Sequence, residues 1–316
     1  MFTINIGYFT IFIGYKILGE VKMKKYLIIY NPTAGKKGNK KWIDKLAERI
    51  EQNGGYCEVY ETTGINDGRK EVCRSAHKFD IVVSAGGDGT LNEVAAGILE
   101  SKSDAKLGIL PIGSGNDYYR NFANPKDMDT AMKSIVSGKV NMIDVGKSED
   151  NTYLLNIASI GLDCLTVKNA KKLKKIAGGP FGYFLSLIYS LATFKKQNLT
   201  IYIDENKIYS KSSLYCFGCG KTYGGGIKIM PWSGNFTGKF EIVNISEINK
   251  GLLIFFAPSI ALGLHTKFEK YVKVYSAKKI RVESENKFDF NLDGEIFEEK
   301  KVIEYECMHN AIGLLI

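Results

Sequence analysis

Short apolar runs alternating with amphipathic stretches organise the first half of the chain. Lys25-Tyr-Leu-Ile-Ile-Tyr30 is an unbroken apolar run of strand length, and it ends in the polar, glycine-bearing loop Asn31-Pro-Thr-Ala-Gly-Lys36. From Trp42 to Gln52, Ile43, Leu46, Ala47 and Ile50 recur at helical spacing and share one face. Cys57-Glu-Val-Tyr-Glu61 returns as a strand and stops at Thr62-Thr63. Further apolar runs begin at Phe79 and span Lys106 to Ile112. This alternation, from Lys25 to about Val140, is the order of a parallel sheet covered by helices. From about Ile143 the strands shorten and are punctuated by Gly, Asn and Asp, which predicts a β-rich sandwich. The expected plan is an α/β domain over 23–142 and a β-rich domain over 143–316, with no low-complexity linker between them.

Two segments stand outside that plan. Residues 1–22 are apolar and aromatic without a period, lack a basic start, and fall short of the ~20 uninterrupted apolar residues that span a bilayer. They are expected to be an extension ahead of a native start at Met23, or disordered, with a peripheral membrane anchor as the alternative. Within the β-rich half, a lysine-rich stretch (Lys168 to Lys175) precedes the apolar run Phe181 to Phe194, too short to cross a membrane. A buried helix is the simple reading. The sharper one is that it lines a lipid cleft, with the lysines near anionic headgroups.

The strongest chemical signal lies where the run from Phe79 meets Gly86-Gly-Asp-Gly-Thr90 and Asn92-Glu93. Gly86, Gly87 and Gly89 permit positive φ and close approach of backbone N–H groups to a phosphate. Thr90 and Glu93 match a capping box, which would put the positive end of a helix at the same place. Asp88, an acid among donors suited to anions, is then placed to hold Mg²⁺. Alone, such a turn is ordinary punctuation. A second copy follows the next strand as Gly113-Ser-Gly-Asn-Asp117, and the Asn31 loop is a third; after parallel strands all three converge at one sheet edge.

Asn31-Pro-Thr-Ala-Gly35, Gly86-Gly-Asp-Gly-Thr90 with Asn92-Glu93, and Gly113-Ser-Gly-Asn-Asp117 together resemble the signature set of the diacylglycerol kinase catalytic-domain superfamily, which includes sphingosine and ceramide kinases and soluble bacterial lipid kinases. The resemblance continues through Asn156-Ile-Ala-Ser-Ile-Gly-Leu-Asp163, Gly224-Gly-Gly226 with Pro231, and Leu292-Asp-Gly-Glu295, so it runs from Met23 to the end. It implies a parallel-sheet domain like those of NAD kinase and phosphofructokinase, joined to a sandwich whose last strand packs back on the first domain. It also implies ATP and Mg²⁺ as cofactors and a membrane lipid as acceptor. In such kinases an Asp-Gly after the triple glycine helps hold a second magnesium ion, whereas this chain has Phe236-Thr-Gly238. Cys219 stands where an Asn is common. Both departures put that second metal site in doubt.

The resemblance implies roles for named residues. Asn31, Thr33 and Thr62 would meet the nucleotide; Gly86, Gly87, Asp88, Gly89, Thr90, Asn92 and Ser114 would hold its phosphates, and Asp88 would organise Mg²⁺. Lys36, Asp117 and Arg120 are candidates for orienting the transferred phosphate. Asp293-Gly294, flanked by alternating residues, is a hairpin-turn signal in its own right. The match of Asp293 to Glu295 with the family implies that Glu295, supported by Asp293, accepts the proton of a lipid hydroxyl. The expected reaction is phosphorylation of diacylglycerol to phosphatidic acid by ATP. An NAD kinase-like enzyme with a soluble acceptor and a regulator that has lost catalysis are the rivals.

Composition changes this picture little. Forty-three basic and 34 acidic residues give a formal charge of +9, which suits ATP or the anionic inner face of a membrane, where a cytoplasmic, peripheral enzyme would work. No zinc-finger spacing, RNP-like string or arginine-rich helix is present, so nucleic acid is not an expected partner. Cys216 and Cys219 lack a second pair at zinc spacing, and on a strand they would face opposite sides; all six cysteines are expected to be reduced and structural. Gly220-Lys-Thr222 resembles the end of a Walker A loop, but Tyr215 stands where that motif begins with Gly. An exposed sheet edge leaves a homodimer open.

Overall fold

Three of the apolar runs become neighbouring parallel strands covered on both faces. β1 (Lys25–Tyr30), β3 (Ile81–Gly86) and β4 (Lys106–Pro111) are buried along nearly their whole length, and β2 (Tyr56–Glu61) forms the edge of the order β2-β1-β3-β4. Two-sided burial is why these strands read as continuous apolar runs rather than alternating ones. The computed structural model describes residues 23–35, 38–173, 179–246 and 248–316. β2 has a neighbour on one side only and leaves Tyr56 and Val59 exposed.

Helices α1 (Lys40–Gln52), α2 (Asp67–Ser75), α3 (Asp88–Ser101) and α4 (Met128–Ser137) link or cover these strands. α1 buries Ile43, Leu46 and Ile50, and Ala47 is half-buried beside them. α2 and α3 pack so tightly that a Cβ on Gly97 would lie 2.6 Å from Val72 Cβ. The chain leaves β1 for β2 on one side and returns to β3 on the other, so a crevice opens beyond the carboxyl ends of β1 and β3.

The rest of the chain is mostly antiparallel: β5 (Val140–Lys147), β6 (Tyr153–Leu154), β7 (Ile157–Gly161), β8 (Gln197–Ile203), β9 (Asn206–Gly218), β10 (Phe240–Ser246), β11 (Val272–Ala277), β12 (Lys279–Leu292) and β13 (Glu295–Leu315). β9 and β12 are long enough to pair with β8 over one half and β7 over the other, which curves the sheet around an aromatic core. At its centre Phe217 lies 5.7 Å from Phe240 and 5.8 Å from Tyr305 between ring centroids. Cys216 and Cys219 do face opposite sides, Cys219 into this core and Cys216 beneath the helices, and all six cysteines are free.

β13 ties the halves together. After pairing with β12 it runs antiparallel to β5, and Leu314 ends beside Leu107 of β4 in a parallel bridge. Ile312, Leu314 and Leu315 are buried in the core of the first sheet. At roughly 1.5–3 kcal/mol for each such side chain, the end of β13 is held there by several kcal/mol.

Helices α5 (Leu162–Leu173), α6 (Gly179–Thr193) and α7 (Lys250–Ala261) cover the other side of the curved sheet. The simple reading of 181–194 as a buried helix does not hold along the described part of α6. Leu191 and the following Phe194 are buried, but Leu185, Ile188 and Tyr189 are 37%, 46% and 57% exposed. An apolar run without a period cannot tell a helix buried all round from one with an apolar outer face. Residues 1–22 lie outside the described residues.

Candidate active site

The first two glycine turns interlock. Gly113 N donates to Gly86 O at 2.9 Å, and a Cβ on Gly113 would fall 2.3 Å from Gly87 Cα. A Cβ on Gly86 would lie 2.3 Å from Thr90 Oγ1. The positive φ expected at Gly86, Gly87 and Gly89 is not found; Gly87 sits at φ −102° as the residue before α3. Glycine is needed here for room. Gly89 differs again, because a Cβ there would meet nothing within 4 Å.

The capping box is likewise corrected. The extended Gly87 lets α3 begin at Asp88, so Thr90 is already inside the first turn, and its Oγ1 accepts from Asn31 Nδ2 at 3.2 Å. Glu93 Oε1 instead accepts from Asn66 N at 2.8 Å, across to the start of α2. The first intrahelical bond runs from Leu91 N to Gly87 O. The amides of Asp88, Gly89 and Thr90 therefore precede the helical ladder and offer donors to an anion.

Around this helix end the proposed nucleotide residues gather from three loops. Asn31 Oδ1 accepts from both the amide and the hydroxyl of Thr33, which fixes the loop after β1. Thr62 continues the β2 pairing through Thr62 N to Tyr30 O and is buried, whereas Ser114 is exposed at the tip of the second turn. Arg120 Nε donates to Gly115 O at 3.1 Å and lies 3.7 Å from Asp117, which leaves its remaining N–H groups for other partners. Lys36 lies outside the described residues.

Three acids share one cleft, and each is held differently. Asp88 is half-buried; its Oδ1 accepts from Tyr118 N at 3.0 Å, while Oδ2 has no hydrogen bond among the described residues and faces Gly115, where a Cβ would come within 3.1 Å. Asp117 accepts twice from Gly225 N, at 2.9 and 3.0 Å, and closes the turn in which Gly224, Gly225 and Gly226 all take positive φ. Burial raises the Asp117 pKa above the usual carboxylate value, the Gly225 amide opposes this, and neighbouring Asp88 adds to the rise. Asp293 Oδ1 accepts from the amides of Asn156 and Ile157, and Oδ2 from Leu155 N and Asn92 Nδ2. Burial nevertheless pushes the Asp293 pKa up to about 6.

These bonds refine the expected roles. Asn92 spends its amide nitrogen on Tyr153 O and Asp293, so it ties α3 to the hairpin turn. Asp293 anchors that turn, in which Asp293 and Gly294 have φ of 49° and 95°, the pattern of a two-residue hairpin loop. Glu295 follows it, opposite Leu292 in the ladder, and its exposed side chain has no hydrogen bond or ion pair among the described residues. Asn121 and Asn156 had no role assigned from sequence. Asn121 Nδ2 donates to Asn156 Oδ1, Asn121 Oδ1 accepts from Lys221 N, and Asn156 Nδ2 donates to Thr222 O, which sews the two halves together beside the cleft.

The cleft is lined by Asp88, Asp117, Tyr118, Asn156, Tyr223 and Asp293 among others. Tyr223 is also a wall of a second, apolar cavity bounded by Leu162, Leu187, Leu191 and Ile260. Asp163 lines that cavity too. It accepts from Ser159 Oγ and from Asn291 Nδ2, its Oδ1 has no partner among the described residues, and burial raises its pKa.

A Mg²⁺ ion fits at Asp88. The free Oδ2 lies between two turns suited to phosphate, and magnesium in phosphotransferases is commonly held by one or two carboxylates together with the substrate's phosphates. Among the described residues no cluster of three His, Cys, Asp or Glu could hold a metal.

Comparison with known proteins now adds to this geometry. Residues 25–148 match the diacylglycerol kinase catalytic domain, and residues 156–316 match the YegS C-terminal NAD kinase beta sandwich-like domain. The chain belongs to the diacylglycerol kinase family. Diacylglycerol kinases of Staphylococcus aureus strains RF122 and MRSA252 are each 33% identical over 274 residues, covering 86% of this chain and 86% of theirs. A Bacillus anthracis structure assigned provisionally to the diacylglycerol kinases superposes with a TM-score of 0.78 at 25% identity, over 94% of this chain and 97% of that one. A second one, a diacylglycerol kinase of the same organism, gives 0.71 at 20% identity and the same fold. As a member of this family the chain is a kinase with an alcohol group as acceptor. No described helix is long and apolar enough to cross a membrane.

The Asp293 environment predicts a pH effect. Four donors address its carboxylate, so protonation as pH falls through about 6 displaces one of them and loosens the cleft wall. Stability moves the other way: a raised folded-state pKa stabilises most below about 3.9, the unfolded value, and that contribution is lost as pH rises through about 6. The expected result is a kcat/KM that falls on acidification through about pH 6 while the melting temperature does not. Paired pH–rate and pH–melting curves check this, and persistence of the same limb in Asp293→Asn would assign it to another group.

Proposed function

We propose that this chain transfers the γ-phosphate of ATP to the hydroxyl of a membrane lipid, with diacylglycerol as acceptor and phosphatidic acid as product. The observation that carries the reading is the shared wall at Tyr223, which puts an apolar cavity directly beside the acid-lined cleft at the glycine turns. A lipid has both halves of that shape: an apolar chain and a reactive hydroxyl.

Asn31, Thr33 and Thr62 meet the nucleotide in this reading. The amides of the Gly86 to Thr90 turn and the Ser114 hydroxyl receive its phosphates, with Asp117 and Arg120 orienting the transferred group and Lys36 a further candidate from the sequence alone. Asp88 would hold Mg²⁺, which would neutralise charge on the phosphates. Glu295 takes the proton of the lipid hydroxyl as its oxygen attacks the γ-phosphorus, and the bond to the bridging oxygen breaks to leave ADP. Asp293 keeps the turn that carries Glu295 against the start of β7.

The lipid would be met at a membrane surface. α6 contains no charged residue, and Leu185, Ile188 and Tyr189 on α6 and Leu262 after α7 are exposed. Residues 164–200 carry seven lysines and no acid, which suits the anionic inner face of a membrane. Lys168 pairs with Asp289 and Glu298 at 2.6 and 2.7 Å.

The test offers ATP and Mg²⁺ with diacylglycerol in anionic vesicles or with NAD in solution, and identifies the phosphorylated product. Phosphatidic acid with diacylglycerol and no NADP with NAD is the expected outcome. NADP formation would replace the lipid by a soluble acceptor, and ATP binding without either product would favour a regulator.

A further inference from the structure

The second magnesium ion, implied by resemblance after the triple glycine, does not fit here. Thr237 is exposed and its hydroxyl donates to Lys239 O at 3.2 Å, so no carboxylate is available at that position. The buried acid nearest that loop is Asp144 on β5, fully enclosed, and its oxygens are already taken by protein donors. Oδ2 accepts from Gly238 N at 2.6 Å; Oδ1 accepts from Asn310 N at 3.0 Å and from His309 Nδ1 at 2.7 Å.

The backbone is shaped to make this arrangement. Met308 pairs with Val145 and Ile312 with Ile143, so β13 carries extra residues opposite Asp144, and Asn310 in this bulge has φ 54°. Bulges re-aim side chains and amides, and this one turns His309 and the Asn310 amide onto the carboxylate. The imidazole also lies against Gly238, where a Cβ would stand 3.0 Å from Nδ1, at a glycine with φ 70°. His309 thus fills the space beside the acid and the loop that an ion would need.

We propose that the His309–Asp144 pair does, within the chain, the work of a bound cation, and that this place takes no metal. A buried carboxylate is costly unless its acceptor capacity is met, and here β5, β13 and the loop around Gly238 meet it together. The same loop reaches the active site: Asp144 N donates to Asn235 O, Phe236 packs 6.4 Å from Phe122, and Phe122 packs 5.3 Å from Tyr118, whose amide holds Asp88. His309 is therefore a positioning residue, and the inference does not depend on which lipid is the acceptor.

The experiment measures thermal unfolding of the full chain without nucleotide, in millimolar Mg²⁺ and in EDTA. The wild type should melt at the same temperature in both. His309→Ala should melt lower in both, by roughly 5 °C if about 2 kcal/mol is lost, and Thr237→Asp added to it should restore part of the loss in Mg²⁺ but not in EDTA. A wild-type melting point raised by Mg²⁺, with the rise abolished by Asp144→Asn, would show a metal at this place and overturn the inference. An unchanged melting point in His309→Ala would show that the pair carries no load. A double variant that melts alike in Mg²⁺ and EDTA would overturn the equivalence of imidazole and cation.

Discussion

Asp88→Ala is expected to lower phosphate transfer by about a thousandfold, near 4 kcal/mol in the activation barrier, while leaving the fold intact. The two effects separate because Asp88 is only half-buried and its carboxylate has one hydrogen bond among the described residues, from Tyr118 N. Losing that bond costs about 1 kcal/mol, a drop of roughly 2–4 °C in melting temperature. Its Oδ2, by contrast, has no partner among the described residues and faces the second glycine turn at Gly115. Asp88→Asn refines the test, since it keeps an acceptor for Tyr118 N and removes only the charge. Steady-state transfer rates and melting curves of both variants decide the matter, and full activity in either would sink the nucleotide assignment.

Glu295→Gln should cut kcat by about 10²- to 10⁴-fold, the range for removing a general base, with the KM for ATP unchanged. The Glu295 side chain is exposed and has no partner among the described residues, so its loss as a charge should alter stability by no more than about 0.5 kcal/mol. Asp293 is the instructive contrast. With three backbone amides and Asn92 on its carboxylate, Asp293→Ala would release the hairpin turn and disturb binding and turnover together. Separate kcat and KM values for the two variants distinguish a proton acceptor from the residue that places it. Equal loss of ATP binding in both would remove Glu295 from the base role.

What could be read from the residues follows from the range of the forces involved. β1, β3 and β4 were legible because burial on both faces leaves unbroken apolar runs, and the convergence of their loops follows from parallel order. The glycine turns were legible as turns that meet at one sheet edge, but the reason for glycine was not. Positive φ is a local property, whereas the close approach of Gly113 to Gly87 is set by two strands packed side by side. The Thr90–Glu93 pattern failed for a related reason, since the extended Gly87 let the helix start at Asp88 and freed both side chains for Asn31 and Asn66. The seam of Asn121, Asn156 and Asp293 joins groups more than 30 residues apart, and no local spacing announces it. Likewise, Thr237 signalled that a carboxylate was missing, but no local pattern announced that His309 would reach Asp144 from a bulge in a distant strand.

The most direct test follows labelled γ-phosphate from ATP into lipid, using diacylglycerol, a sphingoid base, phosphatidylglycerol and a polyprenol in mixed micelles with Mg²⁺, for the wild type and Asp88→Ala. Labelled phosphatidic acid from the wild type and none from the variant is the predicted result. Label in no lipid despite measurable ATP binding, or equal label from both proteins, would contradict transfer at this cleft.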